Sequence, residues 1–162
     1  MKITGLETVQ LGEFPNLLWL RIHTDQGLVG LGETFYAAST VASYVHEVLA
    51  DKLLGADALR IDKISKQIGH DYLIGTGSTG GEIRAASAVD IALWDILGKL
   101  SGQPVHQILG GLSRDRIRIY NTCGGYHYGR KFSSKIEDRF GMTKEPPGPY
   151  DDLNAFMNRA DE

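Results

Sequence analysis

Residues Ala88–Gly111 read AVDIALWDILGKLSGQPVHQILGG, and the reading of this run decides the fold. Its apolar residues recur at helical spacing, and Gly102 followed by Pro104 is a strong stop signal. The spacing predicts a long helix from Glu82 to about Leu100, with a further turn over Val105–Leu109. Asp90 and Asp95 stand in this nearly apolar run, where a carboxylate needs a partner. At 100° per residue they point about 140° apart, so they cannot easily share one metal or one proton. Asp95 has Lys99 four residues on, the favourable acid-before-base order for a local ion pair. Asp90 faces the side of Trp94 and Leu97 and requires a donor from elsewhere, Arg84 or free backbone N–H groups.

Upstream, Lys2–Leu11 alternates as a strand, and Gly12–Asn16 breaks it as a loop. Leu17–Thr24 (LLWLRIHT) puts Leu18, Leu20 and Ile22 on one face and Trp19, Arg21 and His23 on the other. Asp25-Gln26-Gly27 reads as a hairpin loop, and Leu28–Thr34 as its return strand. Gly30 and Gly32 share one face of that strand, a bare surface suited to close approach by another element. Ser39 or Thr40 is the expected cap of a helix to about Leu54, with Val41, Val45, Val48 and Leu49 as its apolar stripe. A second helix is expected from Asp57, carrying Ile61, Ile64 and Ile68 and ending at Gly69. Strands first and helices afterwards give an α+β domain, a three-stranded antiparallel meander followed by a helical bundle.

Downstream of Gly111 the character changes. Arg116–Tyr120 (RIRIY) reads as a new strand, and Asn121–Tyr150 as a long segment rich in aromatic, basic and proline residues, a length that favours function or disorder. Asp151 or Asp152 is placed to cap a last helix carrying Leu153, Phe156 and Ala160; with no stop signal before Glu162, the chain reads as continuing.

Composition narrows the function. Of 162 residues, 42% are hydrophobic and 23% charged, close to globular averages, and no window approaches a membrane span. A net charge of -3 gives no electrostatic reason to expect nucleic acid or an anionic membrane as partner. Cys123 is the only cysteine, so no intrachain disulfide is possible, and MKITGLETVQ carries no signal or transit pattern; the cytoplasm is the expected compartment. The glycines of GTGSTGG match a dinucleotide-binding pattern, but an amphipathic helix precedes them where the first strand of a βαβ unit belongs, so a packed or flexible loop is the better reading. The histidines show no ligand spacing, and no metal site or catalytic residue is assigned within the chain. The cluster Tyr126, His127, Tyr128, Arg130 and Lys131 is followed at once by acidic residues, which fits a solvated loop or a small-anion contact better than nucleic acid.

AASAVDIALWDILGKLSGQPVHQILGG closely resembles the signature of the mandelate racemase and muconate lactonizing enzyme group of the enolase superfamily, with Ile108 where leucine is usual. TDQGLVGLGET and LLGADALRIDKI are similar to the same family's N-terminal domain, in consistent order. The resemblance implies a capping domain over residues 1–113, and over 114–162 the first strand, long loop and start of the first helix of an incomplete (β/α)8 barrel. Active sites of such barrels lie at the C-terminal strand ends. It further implies a Mg²⁺-dependent enzyme that abstracts the proton α to a carboxylate, with base and metal ligands on later barrel strands outside this chain, so that the 162 residues alone are expected to be inactive. The polar loop with His127, Tyr128 and Arg130 suits a hydroxylated anion, hence a sugar-acid dehydratase. A racemase or cycloisomerase is the alternative within the superfamily, and a stand-alone binding or association module the alternative outside it. Phe14, Tyr36, Asn121, Cys123, His127, Tyr128 and Arg130 are the expected lining residues for a small carboxylate substrate, in a homo-oligomer.

Overall fold

The alternation in β2 (Phe14–Thr24) sets the layer order of the domain, because Leu18, Leu20 and Ile22 are all fully buried on one face. A computed structural model describes residues 1–12, 14–70 and 80–120, together with Asn154 and Met157. Strand β1 (Ile3–Leu11) and strand β3 (Val29–Phe35) flank β2 in an antiparallel sheet of order β1-β2-β3. The meander expected from the sequence is therefore present, with Gly27 left-handed (φ 78°) in the hairpin that joins β2 to β3.

Helices cover the apolar face of the sheet: α1 (Ala38–Tyr44), a π-helical segment (Val45–Leu49), α2 (Ala50–Leu53), α3 (Ile61–His70), α4 (Gly81–Ser101) and the short α5 (Val105–Ile108). From Ala38 to Leu53 the buried stripe is Val41, Val45, Leu49 and Leu53, a strict spacing of four. An ideal α-helix would rotate that stripe by about 40° per step. The wider π turn reduces this drift and keeps the four side chains on the sheet. Val48, expected in the stripe, is only half-buried.

The α4–β3 seam carries the closest packing. A Cβ added to Gly32 would lie 2.9 Å from the Ala88 carbonyl carbon, and one added to Gly30 would lie 3.0 Å from that of Ala92. The bare face seen in the sequence is thus the bed of α4. Among the described residues β3 is also an edge of the sheet, which would expose unpaired backbone groups. Asp95 Oδ2 accepts the Leu31 N–H at 2.7 Å, and Lys99 Nζ donates to the Val29 carbonyl at 2.7 Å and to Asp95 Oδ2 at 2.6 Å. The expected Asp95–Lys99 pair does more than support its own helix, since it covers the edge strand. Asp90 is half-buried and accepts from the Ser65 hydroxyl, tying α3 to α4. Arg84, its expected donor, reaches the Phe35 carbonyl instead.

Other expectations require correction. Phe14–Asn16, read as loop, belong to β2. Pro15 is tolerated there because the ladder to β3 begins only at Leu17 and the pairing with β1 is irregular between Phe14 and Trp19. The first helix starts at Ala38 behind a left-handed Ala37, with no side-chain cap from Ser39 or Thr40. The second starts at Ile61 rather than Asp57 and runs through Gly69; Asp57 instead accepts the Leu59 N–H in the preceding turn at 3.2 Å. Arg116–Tyr120 forms no strand, and Ile117 and Ile119 are 77% and 86% exposed. A strand requires a partner for its backbone groups, and the sheet among the described residues has only three members. The described part of the glycine-rich loop is limited to Gly80 and Gly81, and the last expected helix is described only at Asn154 and Met157, both helical.

Candidate functional site

Five element ends meet at one pole of the domain. β1 leaves and β2 enters there, with Leu11 opposite Phe14; β3 leaves there, with Phe35 opposite Leu17. α1 starts three residues after Phe35, and α4 starts at Gly81, where an added Cβ would lie 2.9 Å from Thr40 Cγ2. A cleft of about 280 Å³ opens between these ends, lined on the strand side by Pro15 and Asn16 and on the other by Tyr36–Thr40.

The cleft is built on unusual backbone. Tyr36 and Ala37 have φ of 78° and 56°, the only non-glycine residues with positive φ among the described residues. Each such conformation costs an L-residue about 1–2 kcal/mol. Such strain persists only where surrounding contacts over-determine it, and it clusters at functional sites. Here the Tyr36 N–H donates to the Asn16 carbonyl at 2.8 Å, and the Ala37 carbonyl accepts the Val41 N–H at 3.0 Å to begin α1. Asn16 is 5% exposed, one of two buried polar residues among those described; with Thr24 it brackets the apolar row of β2. Docking of Ala38 and Val41 into the core forces the chain to reverse within two residues, and the left-handed pair makes that reversal. Arg84, near the start of α4, donates to the Phe35 carbonyl and stands over the Tyr36 ring, with 5.3 Å from guanidinium carbon to ring centroid.

A second concavity of about 300 Å³ lies near the opposite pole, lined by Lys2, Asp57, Arg60 and Lys63 among others. The Leu59 N–H, foremost, and the Met1 ammonium and Arg60 beside it hold the Asp57 carboxyl below its ordinary value of 3.8. Among the described residues, no group of three or more His, Cys, Asp or Glu side chains is placed to hold a metal ion, and no helix is long and apolar enough to cross a membrane.

Residues 6–110 match the family model of the mandelate racemase / muconate lactonizing enzyme N-terminal domain. The chain belongs to this family. Among relatives of this chain, the D-galactonate dehydratase of Pectobacterium atrosepticum is 44% identical over 128 residues, covering 77% of this chain and 32% of that protein. An enolase of the mandelate racemase subgroup from Agrobacterium tumefaciens, solved with sodium and phosphate, is 53% identical at a TM-score of 0.67, covering 70% of this chain and 31% of that one. An enolase protein from Sargasso Sea environmental sequence is 48% identical at a TM-score of 0.70, covering 76% and 33%. The chain spans about a third of the length of the curated relatives it matches.

The family's N-terminal fold thus accounts for β1 through α5. Of the expected lining residues, Tyr36 stands in the wall of the cleft at 45% exposure, and Phe14 is half-buried one residue before the cleft's Pro15. Asn121, Cys123, His127, Tyr128 and Arg130 lie outside the described residues. Sequence reasoning missed Ala37 and Arg84 as parts of this pole. Asn16 was legible as the residue two before Leu18 on the buried face, and Arg84 as a cation placed against the helix dipole. Nothing in the sequence marks Ala37 as left-handed.

Proposed function

We propose that this chain is the N-terminal capping portion of a divalent-metal-dependent enolase-superfamily dehydratase whose substrate is a sugar acid of the D-galactonate type. The observation that carries the reading is the 44% identity to D-galactonate dehydratase over 128 residues, joined here to a strained, polar cleft at the pole where the element ends converge. Such an enzyme removes the proton α to the carboxylate and expels the β-hydroxyl as water, leaving a 2-keto-3-deoxy acid. Residues 1–113 act as the cap, and 114–162 begin the barrel that supplies the base. Enolase-superfamily membership implies a divalent ion, taken here to be Mg²⁺. The described residues do not fit that ion, since they offer no ligand cluster, and its ligands belong to the barrel. The work of this chain is selection and enclosure. Tyr36 and the cleft beneath it, with Phe14 beside them and Asn121, Cys123, His127, Tyr128 and Arg130 from the barrel's first loop, would surround the hydroxylated acid and exclude water from it. A cytoplasmic homo-oligomer is the expected assembly.

The intact enzyme, assayed with Mg²⁺ against a panel of sugar acids, aromatic 2-hydroxy acids and amino-acid derivatives, tests this directly. Formation of a 2-keto-3-deoxy acid from D-galactonate is expected. Turnover confined to aromatic or amino-acid-derived substrates would remove the dehydratase reading.

A further inference from the structure

We propose that Arg84 is a positioning residue for the substrate pocket, clamping the left-handed Tyr36–Ala37 turn so that Tyr36 is presented to the sugar acid; this rests on reading Tyr36 as a pocket-lining residue. Three observations converge on Arg84. First, it sits near the start of α4, where the helix dipole disfavours a cation, so its placement needs a reason outside the helix. Second, its side chain makes two contacts with the turn: a hydrogen bond to the Phe35 carbonyl, immediately before the left-handed pair, and a cation–π contact with the Tyr36 ring at 5.3 Å. Third, that turn holds the two positive-φ non-glycine residues among those described, so it needs an external brace.

The chemistry of the side chain suits the task. A guanidinium is planar and can donate in its plane to a carbonyl while its face lies against an aromatic ring, so one group fixes both backbone and side chain of the turn. An ammonium reproduces the charge and one hydrogen bond but not the stacking plane. On the other side, the Asn16 carbonyl accepts the Tyr36 N–H at 2.8 Å, so the turn is gripped from β2 and from α4 at once. Loss of Arg84 leaves the Asn16 contact in place and removes the cation from the ring, which should loosen the pocket wall without unfolding the domain.

The test is steady-state kinetics of the intact enzyme with D-galactonate and Mg²⁺, comparing wild type, Arg84→Met, Arg84→Lys and Tyr36→Ala, with a thermal midpoint for each. Arg84→Met is expected to raise KM about tenfold while kcat changes by less than about threefold. Arg84→Lys should recover part of that loss, and the thermal midpoint should move by no more than a few degrees. A raised KM for Tyr36→Ala with an unchanged KM for Arg84→Met would overturn the role of Arg84 alone. So would a parallel fall in kcat and thermal midpoint at constant KM, the mark of a purely structural residue. An unchanged KM for Tyr36→Ala would instead remove the reading of Tyr36 as a pocket residue, and the role of Arg84 with it.

Discussion

The α4–β3 seam and the Tyr36–Ala37 turn that directly follows β3 are built on opposite principles. At the seam, Gly30 and Gly32 let α4 approach so closely that an added Cβ would press on the helix backbone, and Asp95 with Lys99 covers the exposed strand edge. A few residues further on, Tyr36 and Ala37 take up conformations that glycine would hold without strain, at an exposed pole beside a cleft. A glycine is used where space is short, and glycine is refused where strain is stored. The seam is built for stability and the turn for a defined shape that stability alone does not require.

The contrast can be broken from either side. The largest effect is expected at the seam: Gly32→Val should cost more than about 4 kcal/mol and abolish soluble expression of the folded protein, because the new side chain meets backbone that cannot move aside. A well-folded variant with a native thermal midpoint would show that α4 does not sit as described. Next, Asp95→Ala should cost about 1 kcal/mol in urea unfolding, a small figure because the carboxylate is partly exposed. It should also increase aggregation at high protein concentration, since the Leu31 N–H on the open edge loses its cover. Ala37→Gly should go the other way, stabilising the fold by up to about 1 kcal/mol through relief of the left-handed strain. If the strain serves the pocket, the same variant raises KM for the sugar acid; a more stable enzyme with unchanged KM would make the strain incidental.

The smallest effect belongs to the opposite pole and depends on pH. The carboxyl of Asp57 titrates below its ordinary value of 3.8 in the folded chain, so its contribution to stability is fully present above that value and is lost as pH falls through the folded one. The difference in thermal midpoint between wild type and Asp57→Asn should therefore be visible near neutral pH and shrink below about pH 4. A difference that grew on acidification would reverse the sign of this linkage.

Much of the seam was legible in the sequence and much of the pole was not, for physical reasons. Period-two alternation placed Leu18, Leu20 and Ile22 in the core, and two glycines on one face announced a close neighbour, because both signals depend only on strand geometry. The Asp95–Lys99 pair followed from helical spacing, but its contacts to Val29 and Leu31 are tertiary and could not be read from one helix. The helix start was misplaced because Ser39 and Thr40 are good caps in isolation, while docking of Ala38 and Val41 in the core set the start earlier. RIRIY alternates like a strand, yet alternation does not supply a partner. Family resemblance carried the reading where local pattern could not, from the capping fold to the expectation that the chemistry lies in the barrel.

The most direct measurement is hydrogen exchange of the intact enzyme with and without saturating D-galactonate in the presence of Mg²⁺. If the strained turn is the substrate-facing part of the cap, amides from Tyr36 to Thr40 slow markedly on substrate binding, while those of Gly30 and Leu31 in the seam are unchanged. Equal slowing in both regions, or no change at Tyr36–Thr40, would contradict the division of labour between them.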